Sequence, residues 1–308
     1  MMMQHGDYRR PTNAADAKKR IKDKFGRILE VDAAKKDDET SRPILHPDVD
    51  AAINEWLMEL NYQDELQEAG IEPRRTSLLY GPPGTGKTTL AHHIAARLAL
   101  PLVCIESEGI VDCWVGSSAK NLGEVFDCLD LLSPNVVVLF DEFDSLAAKR
   151  KSVSGADQER TAMLNVMLRR IEMFKGIAIC ATNRASDLDS ALWRRLGMQI
   201  EVKNPRAEER RAILESYGRH YALQNAELSL LTDLTDGASP SLLRQLMEGM
   251  KRALIMGRES QQAVAVFKRI VTSITPPPDF DRPQLWATDS PDLDGLANMK
   301  WPPARGPK

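Results

Sequence analysis

The octapeptide Gly81-Pro82-Pro83-Gly84-Thr85-Gly86-Lys87-Thr88 constrains this chain more than any other feature, because of what flanks it. An apolar strand, Ser77-Leu78-Leu79-Tyr80, runs into it, and a helical pattern from Lys87 to Leu98 runs out. A glycine-rich loop between strand and helix turns its backbone N–H groups inward at the positive end of the helix, which makes a cradle for phosphate. Lys87 adds a point charge for the β and γ groups of a nucleotide, and Thr88 offers a hydroxyl to Mg²⁺.

A loop of this kind needs a parallel sheet around it. Five short apolar runs supply one: Leu78 to Tyr80, Leu102 to Ile105, Val136 to Phe140, Ile177 to Ala181 and Ile200 to Val202, separated by longer helical stretches. Strands that alternate with helices imply parallel crossovers and a sheet covered on both faces. The expected fold is therefore α/β, a three-layer P-loop sheet of five strands over residues 45–203. After Asn204 the strands stop. Residues 204–274 offer three or four amphipathic helices, a small lid in which Ser239 is the N-cap and Pro240 the first helical residue of one member.

The ends differ in character. Residues 1–44 form a polar arm with a basic cluster at Lys18, Lys19, Arg20, Lys22, Lys24 and Arg27, read as a solvated helix or a disordered segment. Residues 275–308 are proline-rich and carry Trp286 and Trp301, which suggest docking on a surface. The opening MMMQHGDYRR has no apolar core behind it, so no secretory signal is expected, and no apolar run reaches the ~20 residues of a membrane helix. The four cysteines lack metal-ligand spacing. Reduced thiols in a cytoplasm follow. A formal net charge of −3 argues against a surface built for nucleic acid.

The run Val136 to Phe140 ends in Asp141 and Glu142. Two carboxylates at the carboxyl end of a buried strand lie where ligands of such sheets bind. Asp141 can hold Mg²⁺ and its waters, with Glu142 beside it to polarise an attacking water.

GPPGTGKT, LFDEFD and the Ala181-Thr182-Asn183-Arg184 stretch together resemble the AAA family of ATPases, from about Gly70 to about Val202. The resemblance implies ATP and Mg²⁺ as cofactors, held by residues 81–89, with Thr89 the last of them, and by Asp141. It implies that Asn183 is a sensor of the γ-phosphate and that Arg194 and Arg195 are arginine fingers completing a neighbouring subunit's site. It also makes Trp114-Val115-Gly116 an aromatic pore loop that grips polypeptide. Lys149 to Arg160 matches a mobile loop with Glu159 and Arg160 as subunit contacts.

Two departures stand out. Leu196-Gly197-Met198-Gln199 lacks the further basic residue that the family often places there, which leaves the working finger undecided between Arg194 and Arg195. The lid's Gly237-Ala238-Ser239-Pro240-Ser241-Leu242-Leu243 loses part of the family pattern, and Arg244 reads as a surface helix arginine rather than a sensor.

The expected activity is that of a homohexamer that draws protein segments through its centre as it hydrolyses ATP, serving a separate protease or adaptor. The alternative is a non-threading switch that acts on a protein or DNA partner. Trp114 discriminates between them.

Overall fold

The computed structural model describes residues 10–29, 43–106, 110, 117–147, 155–218, 221–257, 262–274, 276, 282–287, 296–297, 299 and 301–305. These divide into two compact bodies: the described residues within 1–42, 51–81 and 87–201 form the first, and those within 43–50, 82–86 and 202–308 form the second.

In chain order the first body carries α1 (Ala14–Arg20), a single π-helical turn (Ile21–Phe25) and β1 (Gly26–Leu29). Next come α2 (Pro47–Asn61, whose first turn groups with the second body), α3 (Gln63–Glu68), β2 (Thr76–Tyr80), α4 (Lys87–Leu98) and β3 (Leu102–Ile105). It closes with α5 (Ser117–Asp130), β4 (Val137–Phe140), α6 (Phe143–Ala147), α7 (Gly155–Met173), β5 (Ile177–Thr182), α8 (Ser190–Arg195) and β6 (Met198–Glu201). The sheet order is β1-β3-β4-β5-β2-β6. All pairs are parallel except β1 with β3.

Strand periodicity sorts the side chains onto two faces. Val103, Ile105, Val138, Phe140, Ala178 and Cys180 join one core with Phe126 of α5 and Leu164 and Met167 of α7. Leu102, Leu139, Ile179 and Leu79 alternate with them and are equally buried, on the face where α4 lies against β4 and β5. Burial on both faces is why these strands read as continuous apolar runs.

The sheet has six strands rather than five, and the sixth comes from the arm. β1 pairs with β3 in the register Gly26↔Ile105, Arg27↔Cys104, Ile28↔Val103. Ala17, Ile21, Phe25 and Ile28 are buried in the same core as Phe126. The arm's charges occupy the outside: Arg20 and Lys24 pair with Glu124 of α5, at 3.6 and 3.0 Å. From residue 10 to 29 the arm is thus a packed element, not a solvated one, because its apolar residues recur at 17, 21, 25 and 28, one stripe among many charges.

The second body is built of α9 (Ala207–Gly218), α10 (Asn225–Leu234), α11 (Pro240–Ile255) and α12 (Ala263–Ser273), with β7 (Tyr221–Ala222) paired antiparallel to β8 (Ala304–Arg305). Leu214, Leu231, Leu243, Leu246, Met250 and Phe267 make its core. Leu285, Trp286, Leu296 and Met299 of the proline-rich segment are buried in that core, and Trp301 meets Phe267 edge-on at 6.3 Å. Arg210, also buried, donates to the carbonyls of Pro205 and Thr232 and pairs with Asp236 at 2.9 Å.

Candidate functional site

β2 delivers the chain to Gly81, and Lys87 opens α4 six residues later. Lys87 is only 6% exposed, and its ammonium donates to the Gly81 carbonyl at 2.9 Å. Burial pulls its pKa down to about 8, against the opposing fields of Asp141 and Asp144. Its neighbour Thr88 donates its hydroxyl to Asp141 Oδ2 at 2.8 Å. That bond joins the loop to the end of β4, 53 residues away in sequence.

The backbone turns sharply after β4. Glu142 adopts φ +49°, a left-handed conformation that costs a non-glycine residue about 1–3 kcal/mol and gathers at functional sites. Asp141 Oδ1 accepts the Glu142 N–H at 3.0 Å and fixes the turn, which leaves the Glu142 side chain exposed. Both carboxylates then face one cavity of about 270 Å³, shared with Thr88, Glu106, Cys104 and Arg27. A hydroxyl and carboxylates are hard oxygen donors of the kind Mg²⁺ takes while keeping several waters, so Thr88 and Asp141 fit that ion.

Asn183 is exposed just past the end of β5. The preceding Thr182 is buried and donates to Asp144 Oδ1 at 2.5 Å, while its hydroxyl accepts the Arg184 N–H at 3.0 Å, which fixes the backbone on either side of Asn183. The two candidate fingers end α8, a helix capped by Asp189, which accepts the Ala191 N–H at 2.8 Å. They differ in freedom. Arg195 is tied to Glu172 of α7 and to the Ala191 carbonyl, whereas Arg194 is exposed and pairs with nothing among the described residues.

The remainder of the loop, Pro82 to Gly86, belongs to the second body. Thr85 donates to the Pro82 carbonyl at 3.0 Å, and the Gly84 carbonyl accepts the Ser241 N–H of α11 at 3.1 Å. Gly84 has φ +77°, and a Cβ there would lie 2.9 Å from both Ser239 Oγ and Ser241 Cβ, so only glycine fits. Ser239 caps α11, its hydroxyl accepting the Leu242 N–H at 3.4 Å. Arg244 lies on the exposed face of α11, 3.7 Å from Glu248.

Trp114, Val115 and Gly116 lie outside the described residues, as do Lys149 to Ser154 and the side chains of Glu159 and Arg160. Arg27 was legible only as one of a basic cluster; the short pattern Phe25-Gly26-Arg27-Ile28 was the signal of a strand that would place it.

A family model described as "ATPase family associated with various cellular activities (AAA)" matches residues 77–204. The Cell division cycle protein 48 homolog of Archaeoglobus fulgidus is 36% identical over 184 residues, which are 58% of this chain and 25% of that one. The Proteasome-activating nucleotidase of Methanothermobacter thermautotrophicus is 34% identical over 218 residues, 68% of this chain and 53% of that one. The ATP-dependent zinc metalloprotease FtsH of Lancefieldella parvula is 31% identical over 215 residues, 67% of this chain and 33% of that one. The chain thus spans between a quarter and about half the length of these relatives.

Proposed function

Because the chain belongs, through residues 77–204, to the AAA family of ATPases, we propose that it hydrolyses ATP in an assembled ring and uses the cycle to remodel protein substrates. The observation that carries the reading is the Thr88–Asp141 hydrogen bond, which brings the phosphate loop to the carboxylate-bearing end of β4. Thr88 and Asp141 would hold Mg²⁺, which would supply charge neutralisation for the β and γ phosphates. Lys87 holds those phosphates from the first turn of α4. Glu142, turned into the shared cavity, accepts a proton from the attacking water, and Asn183 orients that water. Arg194, exposed at the end of α8, reaches the nucleotide of a neighbouring copy, while Arg195 braces α8 against Glu172.

The remodelling half of the proposal rests on the relatives, one named for activating proteasomes and another for ATP-dependent proteolysis, and on the sequence Trp114-Val115-Gly116. By that likeness the assembly is a hexamer, the substrate is polypeptide and the partner is a separate protease or adaptor. The test is turnover. Glu142→Gln should bind ATP yet hydrolyse it at least ~100-fold more slowly, and Lys87→Ala should lose nucleotide binding. Normal turnover by Glu142→Gln would remove the assigned base. Trp114→Ala should spare the ATPase and abolish unfolding of a tagged protein; unchanged unfolding would favour a switch that does not thread.

A further inference from the structure

The cavity beside Thr88 and Asp141 holds a residue that the family match, which begins at Ser77, does not include. Arg27 enters it from β1. The strand is fixed there by the register Arg27↔Cys104 and by the Glu106 N–H, which donates to the Phe25 carbonyl at 2.9 Å. β3 runs parallel to β4, so this end of the β1–β3 ladder is the carboxyl end of the sheet, where Asp141 also lies. The period of two puts Arg27 and Cys104 on the face covered by α4.

The pairing of Arg27 is incomplete. Its guanidinium has five N–H donors, and among the described residues the side chain it faces across the ladder is the Cys104 thiol, a weak acceptor. Glu106, Asp141 and Glu142 line the same cavity, yet Arg27 makes no ion pair with any carboxylate among the described residues. Burial lowers the pKa of His92 on α4, the charge of Arg27 adds to that shift, and Asp141 acts on the same imidazole in the opposite sense. A guanidinium in a cavity of about 270 Å³, with open donors and acids that a divalent cation would engage, is arranged for an anion that arrives with that cation.

We propose that Arg27 is a nucleotide-binding residue supplied in cis by the N-terminal arm, its guanidinium donating to the terminal phosphate of ATP in the cavity it shares with Thr88, Asp141 and Glu142. The inference rests on the ATPase reading and deepens it. By thermodynamic reciprocity, ATP that binds Arg27 also holds β1 on the edge of β3, so docking of the arm depends on the nucleotide.

The experiment measures affinity and arm protection without turnover. Arg27→Gln and Arg27→Lys are titrated with Mg²⁺ and the non-hydrolysable analogue AMP-PNP, or with ADP, and hydrogen exchange is followed across residues 21–29. Arg27→Gln should bind AMP-PNP about 10- to 100-fold more weakly and ADP nearly as wild type, since only the former carries the third phosphate. Arg27→Lys should recover part of the loss. In wild type, AMP-PNP should slow exchange in the arm more than ADP does, and Arg27→Gln should erase that difference while keeping wild-type protection without nucleotide. Unchanged AMP-PNP affinity would overturn the proposal. So would equal losses for both nucleotides, or an arm already released in nucleotide-free Arg27→Gln, because either would make Arg27 structural. Failure of the wild type itself to bind AMP-PNP would instead sink the ATPase reading.

Discussion

Replacing Gly26 with alanine should detach the arm or destabilise the body it packs on. Gly26 has φ +154° and ψ −147°, a region open essentially to glycine alone, and a Cβ built there would lie 2.0 Å from the Cys104 carbonyl oxygen. Since 3.0 Å is the practical floor for such a contact, the strand must retreat by about 1 Å or more. That movement breaks the ladder at Gly26↔Ile105 and Arg27↔Cys104 and the bond from the Glu106 N–H to the Phe25 carbonyl. Two or three hydrogen bonds at about 1 kcal/mol each, and about 1–3 kcal/mol for the backbone conformation, give about 3–6 kcal/mol. For a body of this size each kcal/mol moves the melting temperature by about 2–4 °C, so a fall of about 6–24 °C is expected. Release of the arm caps the loss, in which case trypsin should cut at Lys22, Lys24 and Arg27 far faster than in wild type. Scanning calorimetry with timed proteolysis reads both outcomes. A melting temperature within about 2 °C of wild type, with arm cleavage at the wild-type rate, would refute the reasoning.

Arg194→Ala should lower ATPase activity of the assembled protein about 10³-fold or more, the usual scale for an arginine finger, whereas Arg195→Ala should lose much less. Mixing Arg194→Ala with Glu142→Gln subunits should restore part of the activity; equal losses in the two arginine variants would undo the distinction drawn from Glu172. For Lys87 the sign follows from its depressed pKa. Between about 8 and the ordinary 10.5 the unfolded chain holds a proton that the folded one lacks, so nucleotide-free stability rises with pH across that window. Lys87→Met should therefore melt higher than wild type at pH 7, flatten the rise above pH 8 and fail to bind ATP; a lower melting temperature at pH 7 would contradict this. Trp286→Phe removes an indole N–H that is buried and without a hydrogen-bond partner among the described residues, so denaturant melts should place it within about 1 kcal/mol of wild type despite its burial.

Legibility followed the spacing of the signal. Strands β2 to β5 were readable because residues such as Val137 to Phe140 are buried on both faces and so form unbroken apolar runs. The arm was not, because Ile21, Phe25 and Ile28 are isolated among Lys18, Lys19, Arg20, Lys22, Lys24 and Arg27, and local composition averaged them away. The identities of Lys87, Thr88, Asp141 and Glu142 were plain in the motifs, but their meeting depends on a sheet order that puts β4 beside β5 and β5 beside β2. The contrast between Arg194 and Arg195 was beyond any local pattern. It rests on Glu172, 23 residues earlier on a different helix.

β1 has one further consequence, for how copies of this chain meet. An uncovered β3 would present a row of free N–H and carbonyl groups, a template on which any extended segment can add a strand. The antiparallel cover supplied by residues 26–29 moves that edge from the wholly apolar β3 to β1, a strand of four residues that carries the charge of Arg27. A chain that assembles as proposed must associate through chosen surfaces while resisting adhesion through sheet edges. Shortening the arm should therefore trade orderly assembly for aggregation, visible by light scattering before any activity is assayed.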